Sequence, residues 1–232
     1  MLTNSIRVAA VTGGAGAIGK AIVRALQASG HRTVIIDRES EISADLGSES
    51  STRKAAATVL EQYGRVDVFV QCAATFDQAS LADLDSTTLR HVFAVNVESP
   101  LWLAQAFTPG MAERRFGRII FVTSDTLWAP PLPSMLPYVT SKGALIGAMR
   151  SLALSLGPDG IAVSSVAPGL TDTPGSRTVN TDKDFEAVVG HQALKRRLVP
   201  EDTARVVDFL ASDGGAVMTG QVLCADAGMI LR

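Results

Sequence analysis

Charge is scarce in this chain, and what there is nearly cancels. Only 19% of the 232 residues are charged, 21 Lys and Arg against 23 Asp and Glu, for a net charge of −2. No basic cluster is dense, so nucleic acid and anionic membrane surfaces are poor candidates as partners. Cysteine is almost absent: Cys72 and Cys224 lie in apolar, strand-like contexts without metal-ligand spacing, and two reduced core thiols are expected. The three histidines, His31, His91 and His191, are scattered and form no ligand cluster, so no metal is expected. No apolar run reaches the length of a membrane span, and the first residues lack the basic-then-apolar pattern of a signal peptide. A cytoplasmic, metal-free protein is the expectation. Repeats, low-complexity tracts and linkers are missing too, so residues 1–232 are expected to form one domain with a substantial core.

What is present is hydrophobic. A 47% apolar share suits central strands covered on both faces. The pattern predicts strands over 7–11, 33–37, 66–70, 118–123 and 161–167, with short ones at 42–46 and 221–224. Helical periods fall over 17–29, 52–63, within 87–114, over 137–156 and over 200–211. Such alternation implies right-handed crossovers and an α/β fold, a doubly wound Rossmann-type parallel sheet with helices on both faces. The segment 170–199, with its glycines, threonines and charges, reads as an irregular flap over the strands' carboxyl ends.

Three stretches carry chemistry. The first strand runs into Thr12-Gly13-Gly14-Ala15-Gly16-Ala17-Ile18-Gly19. A glycine turn between strand and helix lets the backbone approach a pyrophosphate, which the helix N-terminus favours. The second strand ends in Asp37, whose carboxylate suits the adenosine ribose hydroxyls and repels a 2′-phosphate, favouring NAD over NADP. Arg38 beside it leaves NADP open, and Asp45 reads either as a solvated carboxylate or as an adenine contact. The third stretch is Ser124 with Tyr138 and Lys142. The i, i+4 spacing puts Tyr138 and Lys142 on one helix face. A phenol normally titrates near about pH 10, and an adjacent ammonium is expected to draw it towards neutrality, each unit worth roughly 1.4 kcal/mol. Ser124, ending a strand-like run, would hold the same substrate oxygen.

Together these stretches resemble the short-chain dehydrogenase/reductase family, over nearly the whole chain. The family's TGxxxGxG signature appears at Thr12–Gly19 with Ala17 in the middle glycine position, and Gly16 one residue earlier. Its NNAG appears as Gln71-Cys72-Ala73-Ala74, a departure, and its PG motif as Pro168-Gly169-Leu170-Thr171-Asp172-Thr173. Ser124, Tyr138 and Lys142 match its catalytic residues, with one residue more than usual between serine and tyrosine, in a proline-rich loop. The resemblance implies that Asn96 completes the catalytic set through a relay water. It implies cofactor contacts from Gly13, Gly16, Ala17, Ile18, Gly19, Asp37, Asp45, Leu46, Ala73, Tyr138, Lys142, Pro168, Gly169, Thr171 and Thr173. It also implies a homo-oligomer, commonly a tetramer, with a dimer as the alternative.

The expected reaction is hydride transfer between NAD(H) and a secondary alcohol or ketone. Apolar residues around the serine loop, with Phe76, Trp128 and Met135 in the pocket, point to an uncharged aryl or cyclic small-molecule substrate. Lys195, Arg196 and Arg197 in the flap keep an acyl thioester on an anionic carrier open, reduced with NADPH. A catalytically silent dinucleotide-binding regulator is the remaining alternative.

Overall fold

The computed structural model describes residues 6–231. Among the described residues, seven strands form one sheet: β1 (Val8–Thr12), β2 (Arg32–Asp37), β3 (Ile42–Ser43), β4 (Val68–Gln71), β5 (Gly117–Val122), β6 (Ile161–Pro168) and β7 (Val222–Ala225). Their order is β3-β2-β1-β4-β5-β6-β7, and each pairing is parallel. The strands read as near-continuous apolar runs because both faces are covered. Alternate side chains serve opposite faces. Val8, Ala10, Phe69, Ile119 and Phe121 build one core with Val59, Phe107, Leu145 and Met149. Those partners belong to α2 (Glu49–Tyr63), α4 (Ser99–Glu113) and α5 (Leu136–Leu156). Ala9, Val11, Val68, Val70 and Ile120 build the other core with Ile22 and Leu26 of α1 (Ala17–Ala28) and Val207 and Leu210 of α7 (Pro200–Ala211). The expected doubly wound architecture is the one observed.

Four details depart from the sequence reading. α2 starts at Glu49, earlier than expected, because the Ser48 hydroxyl accepts the Ser51 N–H and caps it (3.4 Å). The stretch expected to hold one long helix divides. It runs as α3 (Ser86–Phe93), a π turn over Ala94–Glu98, and then α4. The Ser99 N–H reaches back five residues to the Ala94 carbonyl. Pro100 has no N–H, so the Asn96 carbonyl lacks its ordinary helical donor. The 170–199 flap is not wholly irregular: it carries α6 (Asp182–His191), started by a reciprocal cap between Thr181 and Asp184. The two cysteines, expected as core thiols, divide: Cys72 is half-buried, whereas Cys224 is exposed on β7.

The order of the strands positions the site. The chain winds outward in one direction from β1 to β3, then returns to β4 on the other side of β1. Loops leaving the carboxyl ends of β1 and β4 therefore diverge and leave a crevice between them, the place where open α/β sheets hold ligands.

Candidate active site

Gly13 and Ala73 meet across that crevice. Gly13 has φ +68°, and a Cβ built on it would lie 2.7 Å from both Cα and N of Ala73. A Cβ on Gly19 would strike the Gly13 carbonyl, and one on Gly14 would come within 2.7 Å of the Ile35 side chain. Only glycine fits this turn. Gly16 caps α1 without any side-chain bond to its first turn, so N–H groups there face outward beside Ala17 and Ile18. Asp37 closes the lip: one carboxylate oxygen accepts the Ala15 N–H (3.1 Å), the other the Arg38 N–H (2.7 Å). A bare helix start, a backbone cradle that side chains would fill and a fixed carboxylate beyond it fit a dinucleotide.

Past β5 the chain turns at Ser124, 8% exposed, into a short 3-10 turn over Asp125–Leu127. Ser124 Oγ accepts two bonds from Thr126, from its N–H (3.2 Å) and its hydroxyl (2.9 Å). On α5, Tyr138 and Lys142 are both buried. Lys142 Nζ donates to the Val122 carbonyl (2.7 Å) and lies 5.5 Å from the centre of the Tyr138 ring. Asn96, fully buried in the π turn, uses its whole side chain. Oδ1 accepts the Thr75 N–H (2.9 Å), while Nδ2 donates to the Thr75 carbonyl (3.1 Å) and to Ser141 Oγ (3.0 Å). The Ser141 hydroxyl donates in turn to the Tyr138 carbonyl (2.7 Å).

The electrostatics correct one expectation. Burial pushes the Tyr138 phenol above its ordinary value, the Ser124 hydroxyl opposing and Asp125 and Cys72 adding to the rise. The same burial lowers Lys142 to about 8, so the ammonium is itself weakened and does not draw the phenol towards neutrality here. Asp125 is raised to about 7, chiefly by burial and then by Asp226. Cys72, raised to about 11 by burial, stays a thiol.

The remaining expected residues divide. Pro168 ends β6, and Gly169 lies so close to Leu198 and Asp226 that a Cβ would come within 2.9 and 3.1 Å of them. Thr171, buried, gives its hydroxyl to the Gly169 carbonyl (2.9 Å), and Thr173 gives its own to Ser176 (3.1 Å), so both close the loop on itself. Asp45 is exposed with its carboxylate on the Gly47 N–H (2.9 Å), and Leu46 points into the core, leaving only its backbone for a ligand. Phe76 stacks on Tyr138, and Met135 pairs with Ala79 immediately ahead of α5. Sequence reasoning passed over Thr126, Ser141 and Thr75, which hold Ser124 and Asn96. A threonine two places after a strand-ending serine is a local capping pattern that could have flagged the first.

A family profile described as enoyl-(acyl carrier protein) reductase matches residues 13–230. The D-xylose 1-dehydrogenase of Caulobacter vibrioides is 32% identical over 94% of this chain and 93% of its own length. The 3-oxoacyl-[acyl-carrier-protein] reductase MabA of Mycobacterium bovis is 30% identical over 94% of this chain and 91% of its own. The crystal structure of a short chain dehydrogenase from Burkholderia cenocepacia J2315 in complex with NADP superposes with a TM-score of 0.85 at 30% identity, over 96% and 97% of the two chains. The chain belongs to the short-chain dehydrogenase/reductase family and is an NAD(P)-dependent oxidoreductase acting on CH–OH groups.

Proposed function

We propose that the chain interconverts a neutral, largely apolar secondary alcohol and its ketone, with NAD(H) preferred over NADP(H). The observation that carries this reading is the meeting of Ser124 and Tyr138 beneath Phe76, at the carboxyl edge of the sheet and beside the glycine cradle. Gly13, Gly16, Ala17, Ile18 and Gly19 would hold the pyrophosphate, Asp37, Asp45 and Leu46 the adenosine, and Ala73, Lys142, Pro168, Gly169, Thr171 and Thr173 the nicotinamide half. Asp37 favours NAD, because a fixed carboxylate repels a 2′-phosphate. A bound nicotinamide ring supplies the donor or acceptor of the hydride.

The chain's own groups handle the oxygen and its proton. Ser124, its lone pairs taken by Thr126, keeps one proton, which Asp125 and Tyr138 share in the absence of a substrate oxygen and which it would donate to that oxygen when substrate binds. Tyr138 takes the alcohol proton on oxidation and returns it on reduction. Lys142, 5.5 Å from the centre of the phenol ring and one helical turn along α5, would hold the nicotinamide ribose when the cofactor is bound. The Asn96 carbonyl, relieved of its helical donor by Pro100, is the acceptor for a relay water. Residues 1–232 act as one catalytic domain in a cytoplasmic homo-oligomer, with 170–199 as the flap; in the structure Thr171 bridges to Leu198 at its base. Among the described residues no helix is long and apolar enough to cross a membrane.

Similarity to MabA supports a second reading, reduction of a 3-oxoacyl thioester with NADPH. The basic triplet argues against it. Arg196 is clasped by both oxygens of Asp202 (2.7 and 2.8 Å) and Arg197 by Asp182 (2.7 Å), so of the triplet only Lys195, bonded to the Gly190 carbonyl (2.7 Å), keeps its charge for an anionic carrier. The test is turnover of aryl ketones, cyclic ketones and a 3-oxoacyl thioester with NADH and with NADPH, for the wild type and Tyr138→Phe. Turnover of a neutral ketone with NADH, lost at least a hundredfold in Tyr138→Phe while NADH still binds, is expected (~10²-fold or more for a general acid). Near-normal turnover in the variant would sink the assignment, and NADPH-driven thioester reduction would install the second reading.

A further inference from the structure

Phe76 is 60% exposed, yet its ring lies flat on that of Tyr138, with centroids 4.5 Å apart and planes 25° from parallel. No core requires it there. The backbone on either side is fixed: Thr75 is bonded through both its N–H and its carbonyl to the Asn96 side chain, and the Ala79 N–H donates to the Ser134 carbonyl (2.8 Å). The Ser134 hydroxyl donates in turn to the Gln78 side chain (2.9 Å). Residues 76–78 are thus a short span between two anchors. Asn96 is itself tied to Ser141 on the helix that carries Tyr138. One unbroken set of hydrogen bonds, from α5 through Ser141, Asn96 and Thr75, registers the Phe76 ring over the phenol.

We propose that Phe76 is the specificity-determining residue of this site, its ring screening the Tyr138 phenol from water and forming the flat apolar wall on which an aryl or cyclic substrate lies. The inference rests on the reading of Tyr138 above. The groups that face the phenol are Ser124 and Asp125 from the turn after β5, Cys72 from the end of β4, and Lys142 from its own helix. Burial outweighs all of them. Phe76, open to solvent on its outer side, is a contributor to that burial that can be removed without hollowing a core.

The chain has only two tyrosines, so chemical nitration by tetranitromethane, which attacks accessible phenolate, can be followed at Tyr138 with Tyr63 as an internal reference. Phe76→Ala is expected to speed nitration of Tyr138 about tenfold or more, equivalent to one unit or more in its pKa, with Tyr63 unchanged. Phe76→Trp, which keeps a ring in place, is expected to leave both rates near wild type. In kinetics with an aryl ketone, Phe76→Ala should raise KM about tenfold with a smaller change in kcat, the scale of one lost aromatic stack, and Phe76→Trp should restore it. Unchanged nitration or unchanged KM in Phe76→Ala overturns the inference, while wild-type turnover abolished by Tyr138→Phe would leave the tyrosine reading standing. Conversely, turnover that survives Tyr138→Phe removes that reading, and with it the role of Phe76 in specificity, even if nitration still reports the screen.

Discussion

A hydroxyl has one proton and two lone pairs, and at Ser124 both bonds that arrive come from Thr126, one from its N–H and one from its hydroxyl. That leaves the Ser124 proton for the acceptors beside it, Tyr138 and Asp125, and in the proposed reaction for the substrate oxygen. Thr126→Val keeps the shape and the N–H but removes the second donor, so the serine loses the bond that orients it. Losing about 1 kcal/mol of orientation corresponds to a kcat roughly fivefold lower, with KM unchanged and Thr126→Ser restoring most of the rate. An unaltered kcat in the valine variant would show that Ser124 is held by other means. At this scale the sequence was legible where the chemistry follows from local geometry. Tyr138 and Lys142 share a face because they are four apart on a helix, and that holds. The direction in which the tyrosine titrates was not legible. It is set by burial, with Phe76 stacked on the ring, and then by Asp125 and Cys72, which reach it from other parts of the chain, while the Lys142 amine is turned to the Val122 carbonyl.

Among the elements, the turn between β1 and α1 makes the sharpest demand on residue type. Gly13 combines a left-handed backbone with a contact, since a side chain would meet Ala73 across the crevice at 2.7 Å. Gly30 provides the comparison: its φ is +87°, but nothing lies within 4 Å of its would-be Cβ. Gly30→Ala therefore costs only the left-handed conformation, about 1 kcal/mol. Gly13→Ala adds the clash, so its loss should exceed that of Gly30→Ala by ~1 kcal/mol or more, and only Gly13→Ala should abolish NADH binding followed by fluorescence. Equal costs with NADH binding retained would mean that the β1 and β4 loops yield freely. This turn was legible because glycine spacing and strand–helix order are both written locally. The π turn at Asn96 was not, since a change of one residue in the bonding step leaves the hydrophobic period almost intact; Pro100 four places on was its one visible sign. The helix in the flap did carry a signal, the reciprocal cap of Thr181 and Asp184, outweighed in the reading by the glycines and threonines around it.

At the scale of the whole molecule the sheet separates two kinds of polar chemistry. The carboxyl ends of the strands hold Ser124, the glycine turn and Asp37, the groups of the proposed site. Beside the amino end of β4 lies Asp67, whose side chain is fully buried and turned towards its own protein. It takes both arms of Arg65 (2.8 and 2.7 Å), the Arg114 Nε (3.1 Å) and the Val8 N–H (2.9 Å). The cluster thus ties the start of β1 to β4 and to the residue that ends α4. Because Asp67 itself is out of water while both arginines keep partial access to it, replacing the carboxylate takes a charge partner from two guanidiniums and an acceptor from a buried amide. Asp67→Ala should therefore cost about 3 kcal/mol or more of unfolding free energy, the scale of breaking a buried ion pair from one side. Because the cluster and the site lie at opposite ends of the strands, kcat/KM per folded molecule should be unchanged well below the melting transition. Denaturant unfolding and kinetics on the same preparation separate the two. A loss under 1 kcal/mol would mean that water replaces the carboxylate at the arginines, and a fallen kcat/KM in fully folded protein would mean that the two ends of the sheet are coupled.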